Sequence, residues 1–123
     1  MNKVGIVVNP KKPNAEKWLK ELCDWLTKRS TPFQDTLQFS LDEVLKEASL
    51  LVCLGGDGTI LRVANHMRER SIPILAVNVG SLGFLTDVRT EEMFDELQTY
   101  FSDRSEIEER LMLSCSVDRK SVV

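Results

Sequence analysis

The sequence is short of the groups that most often mark a metal centre or a disulfide scaffold. Its three cysteines, Cys23, Cys53 and Cys115, are odd in number and far apart, with neither C-x-x-C nor Cys/His ligand spacing, which excludes a disulfide framework and a cysteine-based metal site. All three read as reduced thiols, Cys23 in a helical pattern and Cys53 and Cys115 in strand patterns. The single histidine, His66, stands one residue before an apolar helix position with no second ligand candidate beside it, and reads as a surface helix residue. Also missing is any apolar run near the roughly 18 to 20 residues that cross a bilayer. Met1-Asn2-Lys3 leads into a strand-like segment rather than a signal peptide, so the expected compartment is the cytoplasm and no membrane partner is expected. Neither charge dominates: 16 basic against 19 acidic residues leave a net charge of -3, with no general attraction to nucleic acid, so any nucleotide bound is a small molecule. There are no internal repeats or low-complexity segments, and 123 residues with 42% hydrophobic and 28% charged content have room for one domain with a real core.

What the chain does have is one stretch around which the rest is arranged. Residues 50–62 run Leu50-Leu51-Val52-Cys53-Leu54, then Gly55-Gly56-Asp57-Gly58, then Thr59-Ile60-Leu61-Arg62. Five apolar residues have the length of a buried strand, three glycines within four positions admit backbone angles that side chains forbid, and Thr59 opens a segment of helical period. A strand, turn and helix in this order bring backbone N–H groups and the positive end of a helix dipole to one point, a geometry suited to phosphate. The carboxylate at the centre does not belong in a loop for phosphate alone, because like charges a few Å apart repel and such a loop follows its glycines with lysine and serine or threonine. Asp57 has three readings: a hold on Mg²⁺ carrying ATP phosphates, a general base for a hydroxyl about to attack phosphorus, or an Asx turn with no chemistry. The first two both describe phosphoryl transfer.

The flanking chain alternates strands with helices. Residues 3–8 suit a strand covered on both faces, ending at Asn9-Pro10 in a loop whose Lys11 and Lys12 are either solvated charges or phosphate neighbours. A helix begins near Asn14, with Ala15, Trp18, Leu19, Leu22, Trp25 and Leu26 on one buried stripe. Phe33 to Phe39 reads as a short strand, and Ser40 with Glu43 as a capping box opening a helix over 41–48. Strand 50–54, the glycine turn and a helix carrying Ile60, Val63, Ala64 and Met67 follow. Residues 74–77 form another strand ending in a glycine-bearing turn, and Thr90 reads as the N-cap of a helix carrying Met93, Phe94, Leu97, Tyr100 and Phe101. From Ile107 to Val117 the apolar residues Ile107, Leu111, Leu113, Cys115 and Val117 fall on odd positions while Glu108, Arg110, Ser114 and Ser116 fall on even ones, the texture of an antiparallel strand with one wet face. Alternating strands and helices predict a parallel sheet whose turns after each strand emerge at one edge, bringing residues 9–13, 55–59 and 78–84 to one crevice.

Two motifs carry a resemblance. Gly55-Gly56-Asp57-Gly58-Thr59 resembles the turn shared by NAD kinases, diacylglycerol and sphingosine kinases and, more distantly, 6-phosphofructokinases. The N-x-G-x-L-G-F-L turn at residues 78–85 resembles the NAD kinase pattern and not that of lipid kinases. Glu109-Arg110-Leu111-Met112-Leu113 is similar to the point where the NAD kinase chain enters its C-terminal β-domain. The resemblance implies an α/β fold, a Rossmann-like mostly parallel sheet flanked by helices over residues 1–104, and the first strand of a truncated β-domain at 105–123. It implies transfer of a phosphoryl group from ATP or inorganic polyphosphate, with Mg²⁺, to the 2′-hydroxyl of the adenosine ribose of NAD, in a homo-oligomeric protein. Asp57 matches the family's general base. Gly55, Gly56, Gly58, Thr59, Arg62, Asn78, Gly83 and Phe84 match nucleotide-binding positions, Phe84 as an aromatic wall for adenine; no resident metal ligand is implied. A second family motif, an asparagine followed by an acid early in the β-domain, does not occur before the chain ends, so residues 1–123 alone are expected to be weakly active or inactive. A lipid kinase module and a noncatalytic nucleotide-binding domain are the alternatives.

Overall fold

The computed structural model describes residues 3–67, 71–80 and 88–102. Five parallel strands form one sheet: β1 (Val4–Val8), β2 (Phe33–Asp35), β3 (Leu50–Gly55), β4 (Ile74–Asn78) and β5 (Val88–Arg89), in the order β2-β1-β3-β4-β5. Helices α1 (Ala15–Lys28), α2 (Leu41–Glu47), α3 (Asp57–Met67) and α4 (Met93–Ser102) cover both faces. The fold is the α/β, mostly parallel arrangement that alternating strands and helices predict.

The two faces follow from the period of two in the strands. Val4, Ile6, Val8, Leu50, Val52, Leu54, Leu75 and Val77 pack with Leu19, Leu22 and Leu26 of α1 and Met93, Leu97 and Tyr100 of α4. Val7, Leu51, Cys53 and Ile74 face the other way, against Val44 and Leu45 of α2 and Ile60, Val63 and Met67 of α3. Strands buried on both faces carry no alternation in sequence, which is why β1 and β3 read as unbroken apolar runs. A Cβ on Gly5 would stand 2.8 Å from both Leu51 Cδ2 and Val44 Cγ1, so glycine there lets α2 lie close on the sheet.

Several local expectations change. The strand expected over 33–39 stops at Asp35, because the Asp35 carboxylate accepts from the N–H groups of Leu37 (2.9 Å) and Gln38 (3.2 Å) and turns the chain. Thr90 is not the N-cap. Residues Thr90–Glu92 form a 3-10 turn, and the Glu92 carboxylate reaches back to the Arg89 N–H at 3.1 Å. Thr90 lies buried inside that turn. Trp18 and Trp25 are half-buried at the margin of the core rather than inside it. The Trp25 ring lies 5.7 Å from Phe94 and 6.1 Å from Phe101, with the Arg29 guanidinium 4.7 Å above it, a set of ring and cation contacts that seals the end of α1 against α4. The alternating segment at 107–117, Cys115 and residues 81–87 lie outside the described residues.

The strand order places the crevice. From β1 the chain leaves to α1 on one face, and from β3, its neighbour, to α3 on the other. Loops that diverge from adjacent strands open a gap between them at the carboxyl edge, where ligands of such sheets bind.

Candidate active site

The gap at the carboxyl ends of β1 and β3 is a cleft of about 520 Å³. Residues 9–12 line one bank, and residues 56–59 with Arg62 line the other. Asn9 organises the first bank: its N–H donates to the Leu54 carbonyl (2.9 Å), tying the loop to the end of β3, and its Oδ1 accepts from the Lys11 N–H (3.1 Å). That is an Asx turn, the local geometry an asparagine before proline favours. Asn14, with φ 68°, then reverses the chain into α1.

The second bank departs from the expectation in an instructive way. Among the described glycines only Gly80 has a positive φ, of 131°, so the glycines at 55, 56 and 58 do not supply unusual backbone angles. α3 already begins at Asp57, and the Gly56 carbonyl accepts from the N–H groups of Thr59 (3.1 Å) and Ile60 (3.3 Å). What Gly55 supplies is space. A Cβ there would overlap the Thr59 hydroxyl, stand 3.0 Å from Thr59 Cβ and 3.3 Å from Asn9 Cβ. Asp57 is therefore the first residue of a helix, half-buried at its positive end, rather than the centre of a loop. Among the described residues it is the one carboxylate lining the cleft. Arg62 is exposed at the α3 side, and the exposed His66 ring places Nδ1 2.8 Å from the Arg62 carbonyl. A carbonyl only accepts, so Nδ1 carries the proton in that contact. This is a surface histidine satisfied by its own helix.

Asn78 lies in register with Gly55 on the neighbouring strand, and the Val79 N–H donates to the Gly55 carbonyl at 3.0 Å. Its carboxamide is 4% exposed and, among the described residues, neither its oxygen nor its nitrogen has a hydrogen-bond partner. It lines a second cavity of about 290 Å³ with Gly80, Arg89, Thr90 and Glu91. Among the described residues, the turns after β1 and β3 thus share one cleft, while Asn78 and Gly80 at the end of β4 line a smaller one with residues 89–91. Gly83 and Phe84 lie outside the described residues.

The description ATP-NAD kinase N-terminal domain fits residues 28–105. The chain belongs to the NAD kinase family. It is 37% identical along its whole length to the NAD kinase of Geobacter sp. (strain M21), covering 47% of that protein. It is 36% identical over 97% of its length to that of Heliobacterium modesticaldum, covering 46%. The chain spans about half the length of the curated relatives it matches. Its fold is that of yeast NADH kinase, crystallised with NADH, at a TM-score of 0.70 and 22% identity over 85% of this chain and 37% of that one.

Within this NAD kinase fold, sequence reading missed two contributors. β5 is two residues long and shows no periodicity, so Arg89 at its end carried no signal. The bridge from Asn9 to Leu54 was visible only as an Asn-Pro pair ending a strand. Among the described residues no three histidine, cysteine or carboxylate groups gather as a metal site. A single cleft carboxylate suits Mg²⁺ that arrives on a phosphate chain, since Mg²⁺ in such enzymes takes one or two carboxylates and otherwise keeps water and substrate oxygens.

Proposed function

We propose that the protein transfers a phosphoryl group from ATP or inorganic polyphosphate to the 2′-hydroxyl of the adenosine ribose of NAD, giving NADP. The observation that carries this reading is the position of Asp57, the one carboxylate among the described residues that lines the switch-point cleft, at the first residue of α3. In the reaction the 2′-hydroxyl oxygen forms a bond to the terminal phosphorus while the bond from that phosphorus to its bridging oxygen breaks. The proton of the hydroxyl passes to the Asp57 carboxylate, and ADP or the shortened polyphosphate leaves. A base near the attacking oxygen contributes about 10²- to 10⁴-fold, the remainder coming from positioning and charge stabilisation. Mg²⁺ would be carried on the donor's phosphate oxygens and would supply charge neutralisation there, leaving the Asp57 carboxylate to take the proton.

In the same proposal Gly55, Gly56, Gly58 and Thr59 shape the approach of the nucleotide, Arg62 and Asn78 contact it, and Phe84 with Gly83 forms the adenine wall. Residues 1–104 form the nucleotide-binding domain and 105–123 begin a β-domain. The protein acts as a homo-oligomer in the cytoplasm, and among the described residues no helix is long and apolar enough to cross a membrane. The test is incubation of the natural-length gene product with NAD, Mg²⁺ and either donor. NADP formation abolished by Asp57→Asn supports the proposal, and nucleotide binding without any NADP would show a noncatalytic binding domain instead.

A further inference from the structure

We propose that Lys12, with Lys11 and Arg62 beside it, is the seat of the donor's phosphate chain on the switch-point cleft. The inference rests on the phosphoryl-transfer reading and adds to it the residues that hold the donor.

Lys12 leaves the chain on the β1 bank, but its ammonium lies over the β3 bank: a Cβ on Gly56 would stand 3.5 Å from Lys12 Nζ and 3.6 Å from Lys12 Cε. The loop holds it there through backbone bonds, with the Lys12 N–H donating to the Asn9 carbonyl and the Lys12 carbonyl accepting from the Ala15 N–H, each at 3.2 Å. Lys12 is half-buried, whereas Lys11 and Arg62 are exposed.

The charge count is the second observation. Among the described residues the cleft gathers three cations and one carboxylate in a chain whose net charge is -3. The one salt bridge among the described residues joins Lys3 and Glu47, and none involves these three. Three cations lining one cleft with a single carboxylate leave an excess of positive charge whose mutual repulsion a bound polyanion removes. Lysine ammonium groups bind phosphate as point charges. The cleft volume of about 520 Å³ lies within the range of small-molecule sites.

The third observation concerns what this bank omits. Among the described lining residues none is aromatic, and Pro10 is the one apolar side chain. These residues read charge and offer no surface on which a base would stack, so the phosphate chain of ATP and a free polyphosphate present the same group to Lys12. Asp57, which would repel that chain, then faces the acceptor hydroxyl.

The experiment measures binding of inorganic tripolyphosphate and of ATP to the natural-length protein by calorimetry, with steady-state kinetics alongside. Lys12→Ala is expected to weaken both ligands by the same factor, about ten- to a hundredfold for loss of one charge-assisted contact. It should raise the KM for the donor and leave that for NAD unchanged. Lys12→Arg should recover most of the affinity. Lys28→Ala, at the far end of α1, should change nothing. Wild-type tripolyphosphate affinity in Lys12→Ala, or an equal loss in Lys28→Ala, would overturn the proposal. If NADP forms while Lys12→Ala leaves donor binding and KM intact, the seat fails and the kinase reading stands. Lys12-dependent tripolyphosphate binding without NADP formation leaves the seat and removes the kinase reading.

Discussion

A methyl group on Gly55 would collide with the side chain of Thr59; the missing Cβ is what leaves room for the first turn of α3 against the end of β3. Asn9 presses on Gly55 from the β1 side, so both banks of the cleft meet over a position that has no side chain. Gly55→Ala is expected to destabilise by about 1–3 kcal/mol through overpacking. Gly58→Ala meets nothing within 4 Å and has no positive φ, so it should be neutral or stabilising by up to about 1 kcal/mol. Urea unfolding of the two variants checks the contrast, and equal losses would refute it.

Asn78 presents the opposite problem, a buried carboxamide with no partner among the described residues. An unsatisfied buried polar group costs about 1–3 kcal/mol, and such costs persist at functional sites. Asn78→Leu, similar in volume, is therefore expected to raise the melting temperature while lowering NADP formation. A fall in stability with activity intact would show that the carboxamide serves the fold alone.

The capping box at α2 makes a pH-dependent prediction. The Ser40 N–H donates to Glu43 at 3.2 Å, and the Glu43 N–H donates to the Ser40 hydroxyl at 3.2 Å. The backbone bond from Ser40, then its side chain, holds the Glu43 carboxyl below its usual 4.5. A carboxylate depressed in the folded state stabilises above its unfolded pKa, and that contribution is lost as pH falls through the folded value. Ser40→Ala should cost about 1 kcal/mol near neutral pH. The Glu43 share of that loss should fade below about pH 4, as paired denaturation curves at the two pH values would show.

Cys23 illustrates a thiol made inert by its surroundings. Burial first, then the charges of Asp35 and Asp24, push it up to about 11 from 9.0. The thiolate is the reactive form, so near neutral pH iodoacetamide should modify Cys23 roughly a hundredfold more slowly than an unperturbed thiol. Peptide mass spectrometry over a time course measures this, and modification at the free-thiol rate would contradict it.

Much of this molecule is legible before any coordinates. The apolar runs at 4–8 and 50–54 announce strands covered on both faces, and the stripes on α1, α3 and α4 announce the helices that cover them. Alternation then dictates a parallel sheet, and with it the shared edge for the loops at Asn9 and Gly55. What was not legible depended on contacts between distant segments. Nothing local shows that Gly55 is needed for space rather than for backbone freedom, because the crowding comes from Thr59 and from Asn9, forty-six positions upstream. Nothing local ends β2 at Asp35 except a carboxylate that turns back on its own chain, and a two-residue β5 has too few residues to carry a period. The reach of Lys12 to Gly56 likewise exists only once β1 and β3 are side by side.

The central claim is that Asp57 takes the proton of the acceptor hydroxyl. Its most direct test is the turnover of Asp57→Asn in the natural-length protein with saturating NAD, Mg²⁺ and donor, together with NAD affinity by calorimetry. The account predicts that turnover falls by about 10²- to 10⁴-fold while NAD affinity stays within a few-fold of the parent. Turnover within tenfold of the parent would contradict it.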